Sequence, residues 1–197
     1  MMKKLFAAVI AALGLTAATS IHPAGAAEKL EIGYMPILPV SQVFVALEEG
    51  WLKDAGIDAK LIQFQNGPAM VQALLAGQLD VAHFGIGPAM VARGKGVDLK
   101  VVASSTVEQI SIVALPKLVA AFDGGDKAGA FARFQAENGR KPVISTFPIG
   151  SVPEVVLSYW VEKQLGLPKD SIDVIYQGAA QVQQALLTGA VDGAAIL

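Results

Sequence analysis

Apolar positions follow two rhythms along this chain, and the places where one gives way to the other mark its elements. Leu30 to Tyr34 is a short β-type run. Val40, Val43, Phe44, Leu47 and Trp51 then recur at helical spacing, which predicts an amphipathic helix burying one side, with Glu48, Glu49 and Lys53 outside the stripe. Asp58 to Phe64 is a second strand, and Gln65-Asn66-Gly67-Pro68 turns into a helix whose buried face is Met70, Leu74 and Leu75. Gly77 stands where a helix stop needs a residue tolerant of positive φ. Asp80 to Phe84 is a third strand, followed by the turn Gly85-Ile86-Gly87-Pro88 and a helix ended by Gly94-Lys95-Gly96. Leu99 to Ala103 is a fourth strand, and Ile110 to Leu115 is a fifth strand or the crossing between lobes. Strands alternating with helices predict an α/β protein with a parallel or mostly parallel sheet.

The pattern is then used a second time. Gln72, Ala73, Leu74, Leu75, Gly77 and Asp80 reappear as Gln184, Ala185, Leu186, Leu187, Gly189 and Asp192, all displaced by 112 residues. The same shift brings Ile32 onto Ile144, Pro36-Ile37 onto Pro148-Ile149, Val40 onto Val152, and Phe64-Gln65 onto Tyr176-Gln177. Between the copies, Lys117 to Arg140 is a connector of two helical pieces interrupted by Gly124-Gly125-Asp126. Pro142 to Thr146 restarts the strands, and Ser151-Val152-Pro153-Glu154 is a capping box with proline in the first turn. The first copy continues past its third strand into a turn, a helix and a strand that the second copy lacks at Leu197, so the sequence predicts the N-terminal part of a longer chain.

The first residues stand apart from both copies. Met1-Met2-Lys3-Lys4 is a basic start, Leu5 to Leu15 is apolar, and Ala24-Gly25-Ala26 offers a cleavage site, so residues 1–26 read as a secretory signal removed after Ala26 or Ala27. The run is too short for the roughly 20 residues of a spanning helix. The mature protein is therefore expected outside the cytoplasm, in the periplasm, without stable membrane insertion. The chain has no cysteine, which excludes disulfides, thiolate metal sites, thiolate nucleophiles and an acylated anchor. Formal net charge is −2 and becomes −4 without Lys3 and Lys4; with no basic cluster left, nucleic acid is not an expected partner. Residues 27–115 are expected to form one lobe, and 116–197 the connector and a truncated second lobe.

Open α/β sheets bind ligands where strands give way to helices at their C-terminal ends. Those turns nominate Met35, Ser41, Gln65, Asn66, Gly85, Gly87, Ser105, Thr146, Phe147, Gly150, Ser151 and Tyr176 as ligand-binding residues. The turns carry no Lys or Arg, so an anion would rely on unpaired helix N–H groups, hydroxyls and amides, and a zwitterion or neutral solute fits equally well. Each nominee also has a plainer role. Ser151 serves as the N-cap of its own helix, Gly85 and Gly87 serve either turn geometry or close approach, and Phe64 and Tyr176 serve the core. Asp80 and Asp192 follow a helix stop in both copies and read as structural hydrogen-bonding residues. His83, the one histidine of the mature chain, reads as a semi-buried structural residue, and Trp51 and Trp160 as packing residues. No nucleophile elbow, P-loop or metal-spaced cluster is present, so neither cofactor nor metal is expected.

Several local motifs resemble one family. Ile32-Gly33-Tyr34, Glu49-Gly50-Trp51-Leu52-Lys53-Asp54-Ala55-Gly56-Ile57 and Ala73-Leu74-Leu75-Ala76-Gly77-Gln78-Leu79-Asp80 occur in the first copy, with Gly150-Ser151 and Ala185 to Ala194 in the second. In order and spacing they are similar to the extracytoplasmic solute-binding proteins of nitrate/sulfonate/taurine-type ABC importers. The resemblance implies the type II periplasmic-binding-protein fold: two α/β lobes joined by crossing strands, a cleft between them, and here an incomplete second lobe. It also implies capture of a small solute, delivery to an ABC permease, no catalysis, and a monomer when full length. Two other classes share the fold: enzymes of thiamine-pyrimidine and menaquinone biosynthesis, and sensory domains.

Overall fold

The computed structural model describes residues 26–197, so the predicted signal segment lies, except for Ala26, outside the described residues. A helix between two strands returns the chain in its original direction, and the strands pair accordingly in parallel. In the first lobe β1 (Glu28–Tyr34) is central, with β2 (Ile57–Gln63) on one side and β3 (Val81–His83) on the other, Ile32 lying opposite both Leu61 and Val81. In the second lobe β5 (Val143–Thr146) takes the same place between β6 (Asp173–Tyr176) and β7 (Gly193–Ile196). A further strand, β4 (Ser111–Ala114), runs antiparallel along β7. The stretch expected as a fifth strand or the crossing between lobes is thus a strand, and it joins the second sheet.

The helices are α1 (Ser41–Glu48), α2 (Trp51–Asp54), α3 (Gly67–Leu75), α4 (Ile86–Gly94), α5 (Pro116–Phe122), α6 (Ala130–Asn138), α7 (Val152–Tyr159) and α8 (Ala179–Thr188). The 112-residue repeat holds at element level: α3 maps onto α8, and Gly77 and Gly189 end them with the same φ of 68°. It holds at atomic level too. In the first copy the Glu31 N–H donates to Asp80 Oδ2 at 2.8 Å and the Asp80 N–H to the Glu31 carbonyl at 2.9 Å. In the second, Val143 and Asp192 exchange the same two bonds, each at 2.8 Å. The structural role expected of the two aspartates is to tie the central strand, midway along β1 and at the start of β5, to the loop entering its neighbour.

Three expectations fail locally. The single stripe through Trp51 is broken, because Gly50 adopts a φ of 76° and the helix restarts as α2, leaving Trp51 58% exposed. Leu75 faces solvent rather than the core, as does its counterpart Leu187; the buried positions of α3 are Gly67, Met70, Val71 and Ala73. Leu99 to Ala103 forms no strand: Lys100 to Ala103 are exposed, and no described strand pairs with the run. Its β-branched residues favour a strand, but β structure also needs a neighbouring edge.

The second lobe's core is Leu118, Phe131, Phe134, Ile144, Leu157, Val161 and Ile172, with Trp160 packed as expected, stacked 6.0 Å from Phe122. A second cluster joins residues of both lobes: Met35, Met70, Ala73 and Leu79 with Phe147, Val182 and Ala194.

Candidate functional site

Met35 follows β1 and Phe147 follows β5, each one residue beyond its strand, so the repeat places them at matching C-terminal ends. Both are buried in the seam between the lobes, where they line a cavity with Gly67, Gly85, Pro88, Ser151, Val152, Pro153 and Leu197. Its volume is about 20 Å³, close to the space one water molecule needs. The lobes also touch beside it: the Ala179 N–H, at the start of α8, donates to the Gln65 carbonyl at 3.3 Å. The cavity is too small for a molecule of several heavy atoms.

Ser151 is the polar side chain of this cavity. It is 4% exposed, and its Oγ has no hydrogen-bond partner. The expected capping box is displaced, because Glu154 Oε2 accepts from the Gly150 N–H at 3.3 Å, while Oε1 holds Ser158 Oγ at 3.0 Å and Lys169 Nζ at 3.2 Å. Ser151 Oγ caps nothing at the start of α7. A serine that caps its helix loses about 1 kcal/mol of stability when replaced by alanine. Ser151→Ala should instead leave the urea midpoint unchanged or slightly raised, because it removes a buried, unpaired hydroxyl.

Of the residues nominated from sequence, the structure gathers Met35, Gly85, Phe147 and Ser151 around one cavity, with Gly87 and Gly150 in contact at its edge. Gln65 touches the opposite lobe through its carbonyl. The others lie elsewhere. Asn66 caps α3, its Oδ1 accepting from the Ala69 N–H at 2.9 Å. Thr146 is fully buried and donates to the Ala195 carbonyl within the sheet. Tyr176, neither core nor seam, lines a small outer crevice with Glu154, Ser158 and Lys169. Ser41 begins α1 and does not line the cavity. The wall residues not nominated are Gly67, in a predicted turn, and Val152, Pro153, Pro88 and Leu197, which sit in apolar runs that read as core or helix start; of these four only the position of Val152 under the repeat hinted at more.

Ser105 belongs to a different cluster. Its Oγ shares a 2.8 Å hydrogen bond with His83 Nε2, and its carbonyl accepts from Gln42 Nε2 at 3.5 Å. His83 Nδ1 is buried without a partner, and burial holds the imidazole below its usual pKa of 6.5. The fold therefore favours the neutral ring. Stability from this source is complete above the unfolded value and declines as pH falls through the lower folded value. His83→Gln should flatten the urea midpoint's decline as pH falls below about 6.5.

Residues 24–197 match the NMT1-like family. The chain belongs to the NMT1-like family. This NMT1-like chain is 31% identical over 112 residues to a Bacillus subtilis (strain 168) protein provisionally named as an aliphatic sulfonates-binding protein, a match covering 53% of this chain and 33% of that one. Among solved structures it resembles the ligand-binding component of an ABC-type import system from Staphylococcus aureus, with a TM-score of 0.65 and 22% identity over 86% of this chain and 54% of that one. It also resembles the periplasmic aliphatic sulphonate binding protein SsuA from Escherichia coli, with a TM-score of 0.57 and 24% identity over 86% and 54%. For the periplasmic nitrate-binding protein NrtA from Synechocystis PCC 6803 the TM-score is 0.64, with 16% identity over 85% and 46%. The NMT1-like chain thus spans about half the length of these structures and a third of the Bacillus relative. Its α/β architecture, with two parallel-sheet lobes, is that of the periplasmic binding proteins.

Proposed function

We propose that this protein is the solute-binding component of an ABC importer, which captures a small solute between its lobes outside the cytoplasm and delivers it to a permease. The observation that carries this reading is Ser151 Oγ, buried and unpartnered in an otherwise apolar seam. A solute that places one compact polar group against that hydroxyl and the N-terminal N–H groups of α7, with its remainder between Met35 and Phe147, would satisfy every group there. No Lys, Arg, Asp or Glu lines the cavity, so charge would be met by hydroxyl and backbone dipoles. A sulfonate bearing an alkyl chain has this shape, and the names of the relatives point the same way. Lobe closure turns ligand contacts into a form a permease can read.

The test is a thermal-shift and calorimetric panel of methanesulfonate, longer alkanesulfonates, taurine and nitrate. Binding that strengthens with alkyl length and weakens about tenfold to a hundredfold in Ser151→Ala is the expected result. No binding by any member, or binding indifferent to Ser151, would sink the reading.

A further inference from the structure

Gly85 and Gly87 flank the start of α4, and neither needs to be glycine for its backbone. Gly85 has a φ of −66°, and Gly87 is absent from the positive-φ glycines. Space across the seam is what excludes a side chain. A Cβ on Gly85 would lie 2.7 Å from Val152 Cγ2. One on Gly87 would lie 2.9 Å from the Gly150 carbonyl oxygen and 3.2 Å from the Val152 nitrogen. In both cases the obstructing atoms belong to the opposite lobe, and for Gly87 they include backbone, which cannot step aside as a side chain can. Gly94, the last residue of the same helix, has nothing within 4 Å of the corresponding position.

We propose that Gly85 and Gly87 are positioning residues that set how far the lobes close, and hence how small a polar group the seam can grip. The proposal rests on the reading of this chain as a two-lobed binder that closes. A methyl group at either position leaves each lobe's own fold intact and makes the closed arrangement overpacked, so the population moves to the open one. The two positions differ in remedy. The clash at Gly85 is with one methyl group of Val152 and disappears in Val152→Ala, whereas that at Gly87 is chiefly with backbone and does not.

The chain has no cysteine, so spin labels on Lys53→Cys and Lys163→Cys, one per lobe, are the only ones present. Electron–electron distance measurements on the protein need no solute. Gly85→Ala and Gly87→Ala should lower the closed fraction about tenfold or more. Val152→Ala should restore it in the Gly85→Ala background and leave Gly87→Ala open, while Gly94→Ala keeps the parent distribution. Unchanged distances in both seam variants, failure of the Val152→Ala rescue, or equal widening in Gly94→Ala would overturn the assignment. A parent protein that binds none of the solutes tested above would sink the transport reading and leave these distances valid.

Discussion

Asp192→Ala should lower stability by about 3 kcal/mol, read as a fall in the urea midpoint, whereas Asp80→Ala should cost about 1 kcal/mol. Both aspartates make the same pair of bonds to the central strand of their lobe. Only Asp192 is buried and also held by Arg140, whose Nη1 and Nη2 reach its two oxygens, the latter at 2.9 Å. Removing it strands a buried N–H on Val143 and leaves the guanidinium without its counter-charge. The Arg140 end is half exposed, which keeps the cost below that of a fully buried pair. Burial alone would raise the Asp192 pKa, but the hydrogen bonds from Arg140 and Val143 and the guanidinium charge outweigh it and hold the carboxyl below its usual value. The resulting stability is complete above about pH 4 and is lost as pH falls through the lower folded value. Asp192→Asn should therefore be less stable at neutral pH and show a shallower acid decline than the parent.

Phe134→Ala should be more damaging, at about 3–5 kcal/mol, because Phe134 is completely buried and its ring is surrounded by the second lobe's core. The ring has a second task. The Arg140 guanidinium lies 5.3 Å from its centroid, so Phe134 helps hold the cation that holds Asp192. Phe134→Leu keeps most of the burial and discards the π face, and should cost about 1–1.5 kcal/mol. In a double-mutant cycle, Phe134→Leu and Asp192→Ala should cost less together than the sum of their separate effects, because they act through the same arginine. Strict additivity would show that the cation over the ring contributes nothing to the latch.

The repeat was the most legible part of this protein. One displacement of 112 residues relates α3 to α8 and Asp80 to Asp192, and it places Met35 and Phe147 at matching strand ends. Local motifs fared worse where a distant residue intervened. Ser151-Val152-Pro153-Glu154 has the spacing of a capping box, yet Lys169 lies fifteen residues beyond Glu154 and holds its carboxylate, and the serine hydroxyl is left in the seam. Nothing within four residues announces that. Leu99 to Ala103 shows the same limit, since composition records a preference for β structure but not the presence of an edge to pair with. The opposing wall of the cavity was hidden for a related reason: Val152 is unremarkable at the start of a helix and becomes important only when Gly85 and Gly87 come to rest against it.

The aspartate latches hold Glu31, midway along β1, and Val143, the first residue of β5, while the seam lies beyond the C-terminal ends of both strands. On the proposed reading, the residues that would face a solute, Met35, Phe147 and Ser151, thus lie apart from the bonds that fix each sheet. Met35 and Phe147 are themselves buried in the cluster that joins the lobes, so of the three only Ser151 can be changed without disturbing that packing.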